Sequence, residues 1–375
     1  MTTETTITTK SIELGGKTIT LETGRVARQA NGAVIVRCGD TMVLVTATGR
    51  TEPKEGIDFF PLTVDIEERM YAAGKIPGGF IKREARPSEK SILTARLIDR
   101  PVRPRFPKGF SNETQIIATI LSTDQENAYD MLAMLGASAA LSISEIPFQG
   151  PIAAVRVGRI AGELILNPTW QQLQEPECDL DMIVAGTAES ILMIEAGGTE
   201  ISEAVAMEAV RFAQEPIRQL CQLQEELREA AGKEKWAHVE PEFDKELHAK
   251  IESMCRANLE EANRVTDKQE RSDRIEQIRG SVKNELVKDD SPEDFARTVG
   301  SITKAIEKDV VRRTIAVDKL RPDGRGVEEV RPITCEVGVA PRTHGSALFT
   351  RGQTQAMTLL TLGATGDNQR IDGLA

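Results

Sequence analysis

The sequence predicts an α+β fold in three parts, and three observations carry that expectation. Over the first 200 residues, short β-branched runs alternate with helix-patterned stretches. From Thr199 the texture turns helical and then strongly charged. After Arg321-Pro322-Asp323-Gly324, a turn-forming stretch, strand character returns and repeats the opening of the chain. At 375 residues the chain exceeds one ordinary core. The expected divisions are 1–235, 236–315 and 316–375.

In the first part, Ile12 to Leu21 reads as a hairpin turning at Gly15-Gly16. Val34-Ile35-Val36 and Met42 to Thr48 read as a second pair around Gly39-Asp40. Phe60 to Ile66 alternates as a strand should. Ser88 is placed to cap a helix running to about Arg100, where Pro101 is expected to stop it. A strand at Gln115 to Leu121, a small-residue helix at Tyr129 to Leu141 and a hairpin at Pro151 to Leu166 follow. Two short strands, Met182 to Ala185 and Ile191 to Glu195, close the series. Strands recurring between helices give an α+β or α/β layered core.

Ile201, Val205, Ala209 and Phe212 then recur at helical spacing, Pro216 is expected to interrupt, and Ile217, Leu220 and Leu227 continue. Residues 233 to 313 read as a small all-helical domain broken at Pro241, Gly280 and Pro292. In the last part a shift of 313 residues, without gaps, lays Val26, Ala27, Gly32, Gly39, Thr41 and Thr48 on Val339, Ala340, Gly345, Gly352, Thr354 and Thr361. The glycines fall where tight turns are needed. The chain therefore starts a second copy of its first domain and is expected to stop with most of that copy missing.

Composition narrows the function class. Hydrophobic residues make up 40% and charged residues 28%, which is globular composition. No apolar run approaches the length of a membrane span, and the threonine-rich start, Met1 to Lys10, resembles neither a secretory signal nor a transit peptide. A cytoplasmic address and no membrane partner are expected. The five cysteines, at 38, 178, 221, 255 and 335, lack zinc-site spacing and are expected to be reduced.

The net charge of −11 discourages nucleic-acid binding, but its distribution reverses that reading. Lys75 to Lys108 holds ten basic residues against three acidic ones, in a chain otherwise rich in acids. A basic stripe on an acidic body suits a polyanion guided along one track.

Some motifs are set aside. Gly16-Lys17-Thr18 resembles the end of a P-loop, but Ser11 stands where its first glycine belongs and a strand follows. Gly136-Ala137-Ser138-Ala139-Ala140 lacks the second glycine of a nucleophile elbow and is expected to pack a helix closely. His238 and His248 have no zinc-protease spacing and read as surface residues.

Three stretches carry a family resemblance. The first is Gly74-Lys75-Ile76-Pro77-Gly78-Gly79-Phe80-Ile81-Lys82-Arg83-Glu84-Ala85-Arg86-Pro87-Ser88 with Ala95-Arg96-Leu97-Ile98-Asp99-Arg100-Pro101. The second is Val265-Thr266-Asp267-Lys268-Gln269-Glu270-Arg271, and the third runs from Pro341-Arg342-Thr343-His344-Gly345 to Arg351-Gly352. Together they resemble the polynucleotide phosphorylases, in the family's order: a core like ribonuclease PH, a helical insert, and a second such core.

The resemblance implies a phosphorolytic 3′-to-5′ exoribonuclease with single-stranded RNA and inorganic phosphate as partners. It also implies a homotrimer, whose six cores ring a pore, with other RNA-degradation proteins as further partners in mRNA turnover. By resemblance, the loop of Phe80, Lys82 and Arg83 grips RNA, and Arg86, Arg96 and Arg100 continue the basic track. An aromatic ring stacks on any base. Ile81 and Lys82 depart from the family's loop of two phenylalanines and two arginines: isoleucine offers no π face, and lysine no bidentate fork.

Arg342 and Thr343 match positions on the phosphate side of the family's active core, and His344 a catalytic position. Mg²⁺ is the implied cofactor, its ligands expected beyond Ala375. In the first core Asp181 is retained, while Ile183 stands where the family's active core has lysine, so this core is expected to guide RNA without reacting. A different function class, a non-catalytic ring subunit that threads RNA in an exosome-like assembly, is the alternative.

Overall fold

The structure, a computed structural model, describes residues 6–53, 57, 59–78, 82–84, 86–240, 244–288, 290–292, 295–368 and 373–374. It divides into two compact units, Met1–Pro241 with Ile371–Ala375, and Glu242–Arg370. Phe80, Ile81 and Pro241 lie outside the described residues.

In the first unit β1 (Thr8–Leu14) and β2 (Lys17–Thr23) meet at Gly15-Gly16. Their φ values, 57° and 75°, are those a two-residue hairpin turn demands and glycine adopts without strain. β3 (Gly32–Cys38) and β4 (Thr41–Pro53) form the second hairpin. With β5 (Leu62–Glu68) and β6 (Asn112–Ser122) they build a six-stranded sheet of order β1-β2-β3-β4-β6-β5. β5 and β6 are parallel, so the chain must cross over between them, and α1 (Glu89–Val102) makes that crossing, packed on β5.

All fifteen residues of α2 (Tyr129–Ile143) are buried, as expected of a helix that is apolar all round. It packs on β3 and β4 on one side. A second, antiparallel sheet of order β10-β9-β7-β8 holds β7 (Ala153–Ile160), β8 (Glu163–Leu166), β9 (Cys178–Gly186) and β10 (Ile191–Gly198). The one-turn helix α3 (Trp170–Leu173) and the long α4 (Glu203–Ala231) complete the unit.

The expected close packing at Gly136 is present. A Cβ there would lie 2.5 Å from Val45 Cγ2 and 2.8 Å from Val36 Cγ2, so only glycine lets α2 settle on the sheet.

Three expected breaks do not occur. Pro101 sits inside the last turn of α1, which runs on to Val102 and a 3₁₀ turn at Arg103–Arg105. Pro216 lies within α4; Ala209, Ala213, Ile217 and Leu220 on either side of it are buried, and that packing offsets a loss of about 3 kcal/mol. Gly280 lies inside α6 (Lys268–Leu286), where it costs only about 1 kcal/mol.

In the second unit α5 (Lys245–Ala262), α6 and α7 (Phe295–Ala316) bury Ile251, Cys255, Leu259, Ile275, Val282, Val299, Ile306 and Val310 together. The Val265–Arg271 stretch has a structural role here. Asp267 caps α6 by accepting from the Gln269 and Glu270 N–H groups, and Arg271 donates to the carbonyls of Val265, Thr266 and Pro322.

β11 (Ile333–Val337), β12 (Gly345–Arg351) and β13 (Thr354–Leu360) then form an antiparallel sheet. Its β12–β13 register, Gly345 opposite Leu360 and Arg351 opposite Thr354, reproduces Gly32 opposite Ala47 and Cys38 opposite Thr41 at the 313-residue shift. Gly39 and Gly352 share the left-handed conformation, at φ 59° and 62°. The sequence repeat is thus a repeat of pairing.

Candidate functional site

Burial sorts the ten basic residues of Lys75 to Lys108. Lys82, Arg83, Arg86, Arg96 and Arg100 are exposed, as is Lys108. Lys90 turns inward, and Arg103 is held by Asp99 and by the carbonyls of Phe60 and Leu62. The exposed five are the described members of the expected RNA track; Phe80, its aromatic member, lies outside the described residues.

Local chemistry positions them. Glu84 accepts from Arg69 at 2.9 Å and from the Met70 N–H at 2.7 Å, tying the Lys82-Arg83-Glu84 segment to the end of β5. The Arg69 bond, then the backbone bond, hold the Glu84 carboxyl below its ordinary range. Ser88 caps α1 through the Ser91 N–H at 2.9 Å. Leu97, Ile98 and Val102 face the core, which leaves Arg96 and Arg100 outward. Arg100 reaches Glu195 at 3.5 Å with both side chains half exposed, a pair of little energetic weight. Among the described residues none pairs with Arg96.

A cleft of about 660 Å³ is lined among others by Lys90, Tyr129, Asp130, Arg156, Trp170, Asp181 and Ile183. Sequence reasoning did not assemble this cluster. Its signal was a lone arginine in the otherwise apolar Ala153-Ala154-Val155-Arg156-Val157, a buried strand. Arg156 donates to Asp130 at 2.6 Å and to both oxygens of Asp181 at 2.6 and 2.8 Å. Burial alone would lower the Arg156 pKa, but Asp130 and Asp181 outweigh it and raise it. The Lys90 ammonium sits 3.8 Å from the Trp170 ring centroid and 4.6 Å from that of Tyr129. Burial, opposed by Asp130 and Glu68, pushes its pKa down.

This arrangement bears on the implied Mg²⁺. Asp181 is neutralised by Arg156 and Asp179 by Arg159 at 2.7 Å. Among the described residues no three His, Cys, Asp or Glu side chains gather as metal ligands. The donors present do not fit the ion, and no step is derived through it. Ile183, buried on β9, presents no charge to the cleft.

In the second unit the Arg342-Thr343-His344 turn precedes β12. Thr343 donates to the Ala340 carbonyl at 3.1 Å, and the Ala340 N–H donates to Ser346 Oγ at 2.9 Å, which fixes the turn. His344 Nδ1 accepts the Leu362 N–H at 2.9 Å, so the neutral ring carries its proton on Nε2. Arg342 and His344 are exposed. His238, expected at the surface, is half-buried: its ring meets Phe110 edge-on, and its Nε2 lies 2.9 Å from the Lys108 carbonyl.

Among the described residues no helix is long and apolar enough to cross a membrane. The model described as 3′ exoribonuclease family, domain 1, matches residues 15–147 and again 329–374, on the two copies of the repeat. Domain 2 of the same family matches 150–215, and the model described as polyribonucleotide nucleotidyltransferase, RNA binding domain, matches 246–326. A crystal structure of Rrp46 from rice aligns at a TM-score of 0.44 and 13% identity, covering 60% of this chain and 95% of that one.

Polyribonucleotide nucleotidyltransferases of Bacillus subtilis (strain 168) and Shouchella clausii (strain KSM-K16) are 51% and 52% identical over 364 residues, 97% of this chain and 51% of each relative. That of Heliobacterium modesticaldum is 50% identical over the same span. The chain spans about half the length of the curated relatives it matches. With two ribonuclease PH-like stretches flanking a helical one and half of its residues shared with these relatives, the chain belongs to the polyribonucleotide nucleotidyltransferase family of 3′ exoribonucleases.

Proposed function

We propose that this chain is part of a phosphorolytic 3′-to-5′ exoribonuclease that shortens single-stranded RNA with inorganic phosphate and releases nucleoside diphosphates. The observation that carries the reading is the exposure pattern of the basic segment. Lys90 lies against the Trp170 ring and Arg103 is held by Asp99, while Lys82, Arg83, Arg86, Arg96 and Arg100 face solvent. Phosphoryl transfer asks mainly for positioning and charge neutralisation.

In this reading Phe80 stacks on bases, and Lys82, Arg83, Arg86, Arg96 and Arg100 hold successive RNA phosphates. Arg342 and Thr343 bind phosphate, and His344 donates from Nε2 to an oxygen of a reacting anion. The first core guides RNA only, since Ile183 brings no cation and Asp181 is bound to Arg156. The three-part division at 235 and 315, a homotrimer, a cytoplasmic site of action and a part in mRNA turnover alongside other RNA-degradation proteins belong to the same proposal.

Salt titration of RNA affinity in the full-length enzyme tests it. Phe80→Ala should weaken single-stranded RNA binding by about 1–3 kcal/mol with the salt dependence kept. Arg83→Ala or Arg96→Ala should each flatten the salt dependence by about 0.7 in slope for every phosphate left without its cation, with thermal stability unchanged. Parental affinity in all of these variants would end the RNA-track assignment. A full-length enzyme that binds RNA yet releases no nucleoside diphosphate would favour the RNA-threading alternative.

A further inference from the structure

We propose that Glu84 is a positioning residue for the RNA grip: its carboxylate closes the neck of the segment that carries Phe80, Lys82 and Arg83, and so holds that segment ready for single-stranded RNA. This rests on the RNA reading above and names the residue that sets the grip. A carboxylate is out of place between Arg83 and Arg86 on a stretch that meets phosphates, because it repels them. Its contacts supply the reason for its presence.

Both ends of the segment are fastened to one residue, Met70. At the entry, the 3₁₀ turn Met70–Ala73 ends at Gly74, whose φ of 66° is left-handed. The Lys75 N–H then donates back to the Met70 carbonyl at 3.0 Å, which closes the turn as in a Schellman motif. At the exit, the Met70 N–H donates to Glu84 Oε1 at 2.7 Å, and Arg69 donates to Glu84 Oε2 at 2.9 Å. Residues 75 and 84 are thus tied to the carbonyl and the N–H of the same residue. Arg69 is itself steadied from β5, where Glu67 lies 2.7 Å away. Beyond the exit, Ser88 donates to Glu68 at 2.5 Å, so the chain is fastened again before α1 begins.

Inside the neck, Lys82 has a φ of 55°. A side chain other than glycine rarely adopts that conformation, and it persists only where the surroundings enforce it. Glu84, two residues on, supplies such a restraint. An exposed ion pair contributes little by itself. This carboxylate, however, also takes a backbone N–H, and its side chain is only 27% exposed. Ordering the segment before RNA arrives removes a cost that binding would otherwise bear.

The test is fluorescence anisotropy of a labelled oligoadenylate with the full-length enzyme, alongside limited trypsin digestion of the native protein. Glu84→Ala removes an acid, so charge alone predicts tighter binding. The clasp predicts the opposite, binding weaker by roughly tenfold. Glu84→Gln, whose amide oxygen still accepts the Met70 N–H, should fall between Glu84→Ala and the parent. In Glu84→Ala, trypsin should cut after Lys82 or Arg83 several times faster than in the parent, and elsewhere at the parental rate. Glu89→Gln, which removes a nearby exposed acid from the first turn of α1, should show neither effect. Because Glu84 acts through the loop, Phe80→Ala should add little to the loss already present in Glu84→Ala.

Parental or tighter binding by Glu84→Ala, with Phe80→Ala and Arg83→Ala still weakened, would overturn the clasp and leave the RNA reading standing. Independent, multiplying losses in the Glu84→Ala/Phe80→Ala double variant would overturn it too, as would unchanged cleavage after Lys82 and Arg83. Faster cleavage throughout the chain, or a lowered melting temperature, would show a general loss of fold and likewise overturn it. If Phe80→Ala and Arg83→Ala also bind like the parent, the RNA reading fails and the positioning role with it.

Discussion

Arg156 shows how one residue sets the character of the first core's cleft. Its guanidinium is nearly out of solvent, and so is the Asp130 carboxylate it holds at 2.6 Å. Removing one partner of a buried pair leaves the other charged and unpaired, which costs more than the pair was worth. Arg156→Met is therefore expected to destabilise the chain by about 3–5 kcal/mol in denaturant unfolding, and adding Asp130→Asn should restore part of the loss. A loss no larger than that of an ordinary surface substitution would contradict the assignment.

Lys235 offers a pH-dependent counterpart. Its ammonium donates to the Leu141 and Ser144 carbonyls at the end of α2, at 2.7 Å each. Burial, then the Arg228 charge, pushes its pKa down to about 8. In the unfolded chain a lysine titrates near about 10.4, so between these values the unfolded state holds more protons and stability rises with pH. Below about pH 8 both states are protonated and this contribution is absent. Lys235→Met should flatten the rise in melting temperature between pH 8 and 10 relative to the parent; an unchanged difference between the two pH values would refute it.

At the scale of elements, α2 depends on what its sequence leaves out. Its small residues let it sit directly on β3 and β4, and Gly136 lies against Val36 and Val45. Gly136→Ala would gain up to about 1 kcal/mol of helix propensity. The added methyl would nonetheless meet two valines of a sheet that cannot recede, and overpacking of this kind costs about 1–3 kcal/mol. A lowered melting temperature is expected, and a raised one would show that the helix can shift.

The helix breaks expected at Pro101, Pro216 and Gly280 fail for a shared reason. Each is a local cost of a few kcal/mol or less, and α1, α4 and α6 each bury an apolar face that outweighs it.

For the whole molecule, the second-copy sheet is the exposed element. Along β11 and β13 every residue is exposed, and Ile333, Val337, Met357, Leu359 and Leu360 are among them. Open strand edges and apolar faces associate. Light scattering of this chain is expected to show oligomers or aggregates, and a clean, stable monomer would contradict that. Incubated with oligoadenylate, inorganic phosphate and Mg²⁺, the chain should release no ADP if, as proposed, the first core only guides RNA, with Asp181 held by Arg156 and Ile183 bringing no cation. ADP at a turnover typical of enzymes, about 1–10³ s⁻¹, would disprove this.

The hairpin at Gly15-Gly16, the cap at Ser88 and the 313-residue repeat were legible in the chain because each is set by neighbours in sequence. A turn needs positive φ, a helix start needs an acceptor, and strand pairs joined by short turns take their register from those turns. The RNA-track residues were legible as a charge run, but which of the ten face solvent was not. Exposure depends on where α1 meets β5, and that packing joins residues far apart in the chain. The Arg156 cleft was decided only by the tertiary structure. Its members come from α1, α2, β7, α3 and β9, and no local pattern encodes a charge balance that exists only once two sheets close around one helix.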